Sequence, residues 1–218
     1  HFIPGIDDGS PDMGTTMSLI REMQKLGFSK VITSPHVMSD FYKNSSDTIL
    51  KGLTAVRAEL KEQNINMEID AVAEYYLDYD FEQKIGKEKF LTFGDGYILV
   101  ELSFMEAPKN LFDIIFKLQL EGYKVVLAHP ERYHYFQLKD YKDLVTRGVL
   151  LQINWLSLIG YYSSQIKNIT EDLIAQDMVS FLGTDCHNMN HAALYKKCQI
   201  KKAWHDLYNS GKLLNSTL

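Results

Sequence analysis

Cysteine is scarce in this chain. The 218 residues include only two, Cys186 and Cys198, and their spacing is neither that of a disulfide framework nor that of a thiolate zinc site. A cysteine-dependent phosphatase needs an arginine in the loop just after its nucleophile, but Ala192 and Trp204 occupy the corresponding positions. The sequence therefore argues against thiol catalysis, and it predicts a protein of the reducing cytoplasm.

Long apolar runs and basic blocks are also absent. The longest apolar run, around residues 97–100, has the length of a strand, whereas a membrane-spanning helix needs about 20 apolar residues. No signal peptide is recognisable, so we expect no insertion into a membrane. The 23 basic and 28 acidic side chains give a net charge of -5. Without a basic stripe, nucleic acid is not an expected partner.

Several common catalytic motifs are missing as well. No Gly-x-x-x-x-Gly-Lys loop occurs, which excludes a P-loop. The turn Gly94-Asp95-Gly96 lacks the third glycine of a dinucleotide-binding loop and precedes a strand rather than a helix. No Gly-x-Ser-x-Gly elbow is present, so a serine hydrolase of that type is excluded too.

The chain does contain an alternation of strand-like and helix-like segments, in a length that suits one domain over residues 1–218. Short apolar runs predict six strands that are buried on both faces, at residues 31–34, 69–73, 97–102, 125–128, 149–153 and 179–183. Helical apolar stripes lie at residues 17–26, 49–60 (with Ser45 or Ser46 as cap), 111–118, 173–176 and 194–207. Repeated βα units of this kind indicate a parallel α/β fold, either a barrel or an open sheet.

Polar residues stand where the predicted strands end. They are His36, Glu74, Glu101, His129, Asp185 and His187. A single histidine after a strand is more often a packed or solvated side chain than a metal ligand. The joint pattern is more specific, because the ends of parallel strands meet on one face, and imidazoles with carboxylates suit zinc, manganese or iron. His1 is a further candidate, whereas His134, His191 and His205 fall in loop or helix stretches and are expected to be solvated.

Two other features allow a structural or a functional interpretation. Asp7 and Asp8 lie in Gly-Ile-Asp-Asp-Gly-Ser, which is typical of a turn before a helix. Arg132 follows His129 closely. It is either a surface residue or the cation that holds a phosphate group by bidentate hydrogen bonds.

At these positions the sequence resembles the PHP-type (polymerase and histidinol phosphatase) metallophosphoesterases. The resemblance begins with residues 1–10, His-Phe-Ile-Pro-Gly-Ile-Asp-Asp-Gly-Ser, and continues in order through five further motifs. These are Ser34-Pro35-His36, Ala73-Glu74-Tyr75-Tyr76, Val100-Glu101-Leu102-Ser103, Ala128-His129-Pro130-Glu131-Arg132-Tyr133 and Thr184-Asp185-Cys186-His187-Asn188. Within that superfamily the chain is most similar to the bacterial capsule and exopolysaccharide protein-tyrosine phosphatases.

The resemblance implies an α/β fold in the form of an irregular seven-stranded (β/α) barrel of PHP type. It also implies two or three divalent metal ions, with manganese as the first expectation and iron, zinc or magnesium as alternatives. Glu101 matches the bridging carboxylate of the family. By position, the implied metal ligands are His1, Asp8, His36, Glu74, Glu101, His129, Asp185 and His187.

An activity is implied too. Family members remove phosphate from the tyrosines of a membrane-bound bacterial tyrosine kinase that regulates capsular and exopolysaccharide synthesis, and we expect the same class of substrate here. Arg132 matches an arginine that binds the substrate phosphate. His36 or His187 is the expected general acid. Tyr133, which follows Arg132, is the tyrosine expected to line a phosphotyrosine pocket.

Two stretches depart from the family pattern. The family opens with Asp-x-His-x-His and His1 aligns with the last histidine, so we expect a further strand and a further metal-binding histidine upstream. Relatives often carry a second arginine where this chain has Asn-Met-Asn-His-Ala at residues 188–192, and His191 is the candidate substitute for phosphate binding. Two alternatives stay open: another PHP phosphoesterase such as a histidinol-phosphate phosphatase, or a catalytically weak PHP domain that serves as a binding module.

Overall fold

The computed structural model describes residues 1–218, in which strands and helices alternate. The strands are β1 Lys30–Thr33, β2 His36–Val37, β3 Glu68–Ala71, β4 Glu74–Tyr76, β5 Tyr97–Glu101, β6 Lys124–Ala128, β7 Leu150–Asn154 and β8 Val179–Gly183. The helices are α1 Met13–Lys25, α2 Ser46–Glu62, α3 Tyr79–Lys84, α4 Leu111–Leu120, α5 Leu138–Thr146, α6 Ser164–Ala175, α7 Met189–Gln199 and α8 Lys202–Asn209. Short 3-10 helices span Pro130–Arg132, Trp155–Ile159 and Leu214–Thr217.

The strands pair in the order in which they occur along the chain. One sheet has the order β2-β4-β5-β6-β7-β8, and β1 pairs with β3 in a second, two-stranded sheet. Every pairing is parallel. Sequential parallel pairing is the result of repeated βα units, because each connection returns the chain to the same end of the sheet.

The two sheets are adjacent parts of one surface. A short break separates β1 from β2, and a matching break separates β3 from β4. Pro35 lies between β1 and β2 and has no backbone N–H to donate. The N–H of Val72 donates to the Thr33 carbonyl at 2.9 Å, and that of Glu74 donates to the Pro35 carbonyl at 3.0 Å. These bonds keep β1 and β2 beside β3 and β4. Six of the eight strands lie at the predicted positions, and β2 and β4 continue two of them beyond their predicted ends.

A parallel α/β fold is therefore confirmed, but a closed seven-stranded barrel is not. No strand pairing joins β8 to β1. A cleft of about 250 Å³ separates these two edge strands, and its walls include Val31, Phe181 and Leu218. The hydrogen-bonded ring is open at this point.

Both faces of the sheet are buried, as the apolar runs predict. Every residue of β5 is buried. Ile98 and Val100 belong to the larger core under the helices, whereas Leu99 packs with Val126 and Phe181 in a smaller cluster on the opposite face. A rigid sheet with two dry faces leaves its strand ends as the places where polar side chains collect.

Helix boundaries follow local chemistry. Ser45 is the N-cap of α2, where its hydroxyl accepts the Thr48 N–H at 3.2 Å. After α4 and α5 the chain turns through Gly122 and Gly148, whose φ angles of 86° and 81° favour glycine. Both turns are short, and they set the registers of β6 and β7.

The helix predictions needed three corrections. Helices α3 and α5 were not expected, because each buries too few side chains to make a clear apolar stripe. The stretch at residues 194–207 is not one helix, since α7 ends at Gln199 and α8 begins at Lys202. The stripe at residues 173–176 is the end of the longer α6. No helix combines the length and the hydropathy that a membrane crossing requires.

Candidate metal centre

The eight predicted ligands converge at the carboxyl-terminal edge of the sheet. Strand ends or strand breaks position most of them, because each follows a buried apolar run that fixes its backbone. Seven of them form three overlapping groups, in which the ligand atoms lie within 4.8 Å of one another. The groups are His1, Asp8, His36 and His187; then His1, Glu74 and Asp185; then His36, Glu74 and Glu101.

His129 joins this cluster as its eighth member. Its Nε2 atom lies 3.1 Å from Oε1 of Glu74 and 3.5 Å from Oε1 of Glu101. Glu101 also lies 3.6 Å from Nδ1 of His36. The Glu101 carboxylate therefore faces two different imidazoles, which is the arrangement expected of a carboxylate shared between neighbouring ions.

Asp8 closes the cluster on the solvent side. Its Oδ1 atom lies 3.4 Å from Nε2 of His36 and 3.5 Å from Nε2 of His187. The Asp8 side chain is 52% exposed, whereas the other carboxylates of the cluster are at most 8% exposed. Asp8 is thus the most exposed carboxylate among the ligand candidates, and it lines the open cavity.

Asp7, which the sequence pattern assigned only to a turn, contacts a ligand candidate. Its Oδ2 atom accepts a 2.7 Å hydrogen bond from Nδ1 of His1. That bond directs the Nε2 lone pair of His1 toward Glu74 and Asp185, at 3.6 and 3.3 Å. A carboxylate that orients a ligating imidazole is a recurrent partner of metal sites. The adjacent aspartates in the motif were the available signal.

His187 is oriented in the same manner by the backbone. Its Nδ1 atom lies 3.0 Å from the carbonyl oxygen of Asp185, so an Nδ1–H donates there and Nε2 keeps its lone pair for the cluster. Asp185 itself has a left-handed backbone with φ of 51°, and His129 has φ of 33°. Such conformations are costly for residues other than glycine and occur where a site requires them.

The donor atoms fit divalent metal ions. Four buried atoms of the cluster have no hydrogen-bond partner: Nε2 of His1, Nδ1 of His36, Oε2 of Glu101 and Nδ1 of His129. Buried polar atoms without partners are rare and costly in proteins. Nitrogen and carboxylate donors at this spacing are those that manganese, iron and zinc prefer.

The pKa values of the cluster indicate an excess of negative charge in the absence of metal. Burial, and next the charge of Glu74, raise the pKa of Glu101 to about 8. Burial also acts to raise the pKa of Glu74, but the nearby imidazoles of His1 and His129 outweigh it and hold that pKa far below its usual range. Burial alone would lower the pKa of His1, yet the nearby carboxylates of Asp185, Asp7 and Glu74 raise it well above the usual value. A cation at the centre would satisfy these groups together.

Arg132 lies at the wall of this centre. Its Nη1 atom donates to Oδ2 of Asp185 at 3.3 Å. The guanidinium carbon lies 4.7 Å from the ring centroid of Phe104 and 4.5 Å from that of Tyr162. The sequence pattern did not indicate either ring as part of the site, since Phe104 follows an apolar strand and Tyr162 sits in a tyrosine pair that suits packing.

Tyr133 is a correction. The sequence predicted that it would line a phosphotyrosine pocket, but its side chain is 0% exposed. Its hydroxyl donates to the Ala128 carbonyl at 3.1 Å and accepts the Leu102 N–H at 2.9 Å. Tyr133 therefore points into the core and cannot contact a substrate.

The three other histidines differ among themselves. His134 and His205 are exposed, as expected. His191 is half-buried instead and lines the cavity of the centre, where its ring packs edge-on against Tyr161 at 5.3 Å. Burial and the nearby His187 lower the pKa of His191. Its role in phosphate binding stays a prediction.

The cavity has a volume of about 370 Å³ and opens to solvent. Its floor consists of cluster residues, and Phe104, Arg132, Tyr162, Asn188 and His191 form its walls. The mixture of a polar floor and aromatic walls suits a small charged group that is attached to an apolar ring.

Comparisons with known proteins agree with this geometry. The tyrosine-protein phosphatase YwqE of Bacillus subtilis is 28% identical over 194 residues, which are 87% of this chain and 76% of YwqE. The tyrosine-protein phosphatase CpsB of Streptococcus agalactiae is 23% identical over 198 residues, which are 87% of this chain and 82% of CpsB.

Solved structures extend the likeness to three dimensions. A chain from the crystal structures of YwqE from Bacillus subtilis and CpsB from Streptococcus pneumoniae, described as unique metal-dependent tyrosine phosphatases, superposes with a TM-score of 0.85 at 26% identity. The match covers 95% of this chain and 87% of that one. The sequence model of the family described as capsular polysaccharide synthesis, CpsB/CapC, matches residues 1–208. The chain therefore belongs to the CpsB/CapC family of capsular polysaccharide synthesis proteins.

Proposed function

We propose that this protein is a metal-dependent tyrosine-protein phosphatase. One observation carries the proposal: a buried cluster of histidines and carboxylates, with unpartnered donor atoms, lies directly beside an arginine in an open cavity. The relatives named above are tyrosine-protein phosphatases, and the solved relatives are described as metal-dependent. Both facts favour this activity over other phosphoester chemistry.

Two or three divalent ions, manganese before iron, zinc or magnesium, are the proposed cofactors. The residues that would hold them are His1, Asp8, His36, Glu74, Glu101, His129, Asp185 and His187. Bound there, such ions supply Lewis acidity that activates water and offsets charge on the phosphoryl oxygens. Asp7 keeps His1 in the tautomer that this role needs.

The other groups act on the phosphate and the leaving group. Nη1 of Arg132 is bonded to Asp185, and the remaining N–H groups of the guanidinium make no hydrogen bond within the chain. They are the proposed donors to the phosphoryl oxygens, with His191 as a second donor. Tyrosine has a pKa of about 10 as a leaving group, so it needs only modest acid help. An imidazole that binds an ion through Nε2 has no proton there to give, so whichever of His36 and His187 is left uncoordinated would provide that proton; both lie beside exposed Asp8.

A protein substrate fits the open cavity better than a small one does. A phosphotyrosine on a membrane-bound bacterial tyrosine kinase that regulates capsular or exopolysaccharide synthesis is the proposed target, which sets the reaction in the cytoplasm. We also propose that one more strand between β8 and β1 completes the irregular seven-stranded barrel. The cleft of about 250 Å³ between those edges supports this.

Phosphate release tests the activity. Metal-free protein is prepared with a chelator and reloaded with manganese, iron, zinc or magnesium, and each form is assayed on a phosphotyrosine peptide, p-nitrophenyl phosphate and histidinol phosphate. We expect turnover of the two aryl phosphates that depends on added metal, with little turnover of histidinol phosphate. A preference for histidinol phosphate would contradict the proposal and indicate a histidinol-phosphate phosphatase instead.

Matched histidine variants sharpen the test. His129→Asn removes a ligand candidate from the buried cluster, whereas His134→Asn changes an exposed histidine five positions along the same loop. We expect His129→Asn to lose metal and activity together, and His134→Asn to keep both. Full activity after thorough metal removal would overturn the mechanism. A metal-loaded protein that binds a phosphotyrosine peptide without turnover would indicate a binding module.

A further inference from the structure

Three side chains contact the Arg132 guanidinium. The guanidinium carbon lies 4.7 Å from the ring centroid of Phe104 and 4.5 Å from that of Tyr162. Oδ2 of Asp185 accepts from Nη1 at 3.3 Å. The Arg132 side chain remains 24% exposed, and all three of its neighbours line the same cavity. A long flexible side chain is thereby confined at the wall of the proposed metal centre.

We propose that Phe104 and Tyr162 form an aromatic clamp that positions Arg132 for the phosphate group of the substrate. The proposal rests on the function proposed above, in which Arg132 binds the phosphoryl oxygens. Phe104 and Tyr162 are positioning residues in this view, because they act through Arg132.

The chemistry of a guanidinium suits such a clamp. Aromatic rings stack on its flat faces, whereas its N–H donors point outward in its plane. Rings on the faces therefore leave the donor edge free for a planar, bidentate contact with phosphate oxygens. An unconfined arginine would lose rotamer freedom each time it bound phosphate, and a clamped one has lost most of it beforehand.

Each wall of the clamp is itself fixed. The hydroxyl of Tyr162 accepts from Nδ2 of Asn154 at 3.2 Å, and the same amide group donates to Oδ2 of Asp185 at 2.6 Å. On the other side, the ring of Phe104 lies parallel to that of His129, with centroids 5.7 Å apart. Tyr162 is thus tied to the carboxylate that holds Arg132, and Phe104 packs on a proposed metal ligand.

The clamp predicts a specific kinetic defect. In Phe104→Leu and Tyr162→Leu we expect KM for the phosphotyrosine peptide, and the inhibition constant of inorganic phosphate, to rise about threefold to twentyfold, as the loss of a partly buried cation–π contact allows. The metal content and kcat should change much less. Phe104→Tyr, which retains a ring, should restore most of the phosphate affinity that Phe104→Leu loses.

A matched control is available elsewhere in the chain. Arg147 lies over the ring of Phe112 at 4.2 Å, which is the same kind of contact away from the cavity. Phe112→Leu should leave KM and phosphate affinity unchanged. Thermal unfolding of every variant shows whether the fold is retained.

Double variants decide whether the rings act through Arg132. In an Arg132→Ala background, Phe104→Leu and Tyr162→Leu should produce no further loss of phosphate affinity. An equal loss in both backgrounds would refute the clamp. Folded ring variants whose phosphate affinity matches that of Phe112→Leu would refute it as well.

The binding of inorganic phosphate, measured by calorimetry on the manganese-loaded protein, separates this proposal from the function. If the parent protein binds phosphate but turns over no phosphotyrosine, the proposed activity fails while the clamp can still be tested by affinity. If the parent turns over phosphotyrosine and the ring variants bind phosphate as the parent does, the clamp alone fails.

Discussion

Replacing Glu101 by glutamine should stabilise the metal-free protein, although it removes a proposed metal ligand. Glu101 is 4% exposed. Burial, and next the charge of Glu74, raise its pKa from the usual 4.5 to about 8. A carboxyl group with a raised pKa makes the folded state bind more protons than the unfolded state. Stability therefore falls as the pH rises between the two pKa values, and stays low above the higher one.

The size of the effect follows from the two pKa values. At pH 7 the folded Glu101 retains its proton, whereas the unfolded one lost it about 2.5 pH units lower, which corresponds to about 3 kcal/mol at 1.36 kcal/mol per unit. Glutamine is neutral and nearly the same shape, so it avoids this cost. A shift of about 2–4 °C per kcal/mol in a chain of this size gives a Tm about 6–12 °C above that of the parent.

Thermal unfolding in the presence of a chelator, followed by circular dichroism across the pH range, measures this difference. The gap between Glu101→Gln and the parent should be smallest near the usual pKa of 4.5, widen with pH and level off above about 8. Glu106→Gln, at an exposed position in the loop after β5, is the matched control and should show no such gap. Saturating manganese should reverse the order, because the parent retains its full ligand set. A metal-free Glu101→Gln that is less stable than the parent at neutral pH would refute the reasoning.

Three further results are expected from the same contacts. Asp7→Asn should weaken manganese binding about 10–100-fold in calorimetric titrations, because His1 loses the partner that fixes its tautomer. Tyr133→Phe should lower the free energy of unfolding by about 1–3 kcal/mol in denaturant melts, yet leave KM unchanged, since the hydroxyl bonds only core backbone. Manganese at about 100 times its Kd should raise the parent's free energy of unfolding by about 2.7 kcal/mol, and a chelator should reverse the gain.

A specific outcome would contradict each of these three predictions. Asp113→Asn changes an exposed aspartate, and an equal loss of affinity there would mean that general charge, not the orientation of His1, sets metal binding. A raised KM in Tyr133→Phe would contradict the assignment of Tyr133 to the core and indicate that it contacts the substrate. If manganese does not change the free energy of unfolding, the proposal that the unpartnered atoms of the cluster bind metal is wrong.

Six of the eight strands were predictable from sequence because they are short apolar runs, whereas β2 and β4 were not predicted. Runs such as that of β5 show no polar alternation and are too short for a helix, which favours a strand that is buried on both faces. The interruption at Pro35 was visible as a residue, but its effect on pairing depends on a neighbouring strand. Helix α5 was missed because it buries only Tyr141 and Leu144, and two apolar positions do not make a stripe.

The convergence of the proposed ligand residues was predictable for a related reason. A charged side chain directly after a buried strand has its backbone fixed, so its approximate location follows from the strand alone. The clamp was not predictable, because the direction of an aromatic side chain depends on tertiary packing. Tyr133 and Tyr162 are both near Arg132 in space, but only Tyr162 faces the cavity. The prediction chose Tyr133 because it follows Arg132 in sequence, but the Tyr133 hydroxyl forms its hydrogen bonds with backbone groups of the core.

Asp185 links the proposed metal cluster to the cavity wall that contains Arg132. Its Oδ1 atom lies 3.3 Å from Nε2 of His1 and 3.5 Å from Nδ1 of His187, within the cluster. Its Oδ2 atom accepts from Arg132 and from Asn154, outside it. The carboxylate therefore lies between the two sets, on a residue whose backbone is left-handed with φ of 51°. Because one rigid carboxylate serves both, the distance from the proposed ions to the arginine is set by a single side chain, and not by the independent motions of two loops.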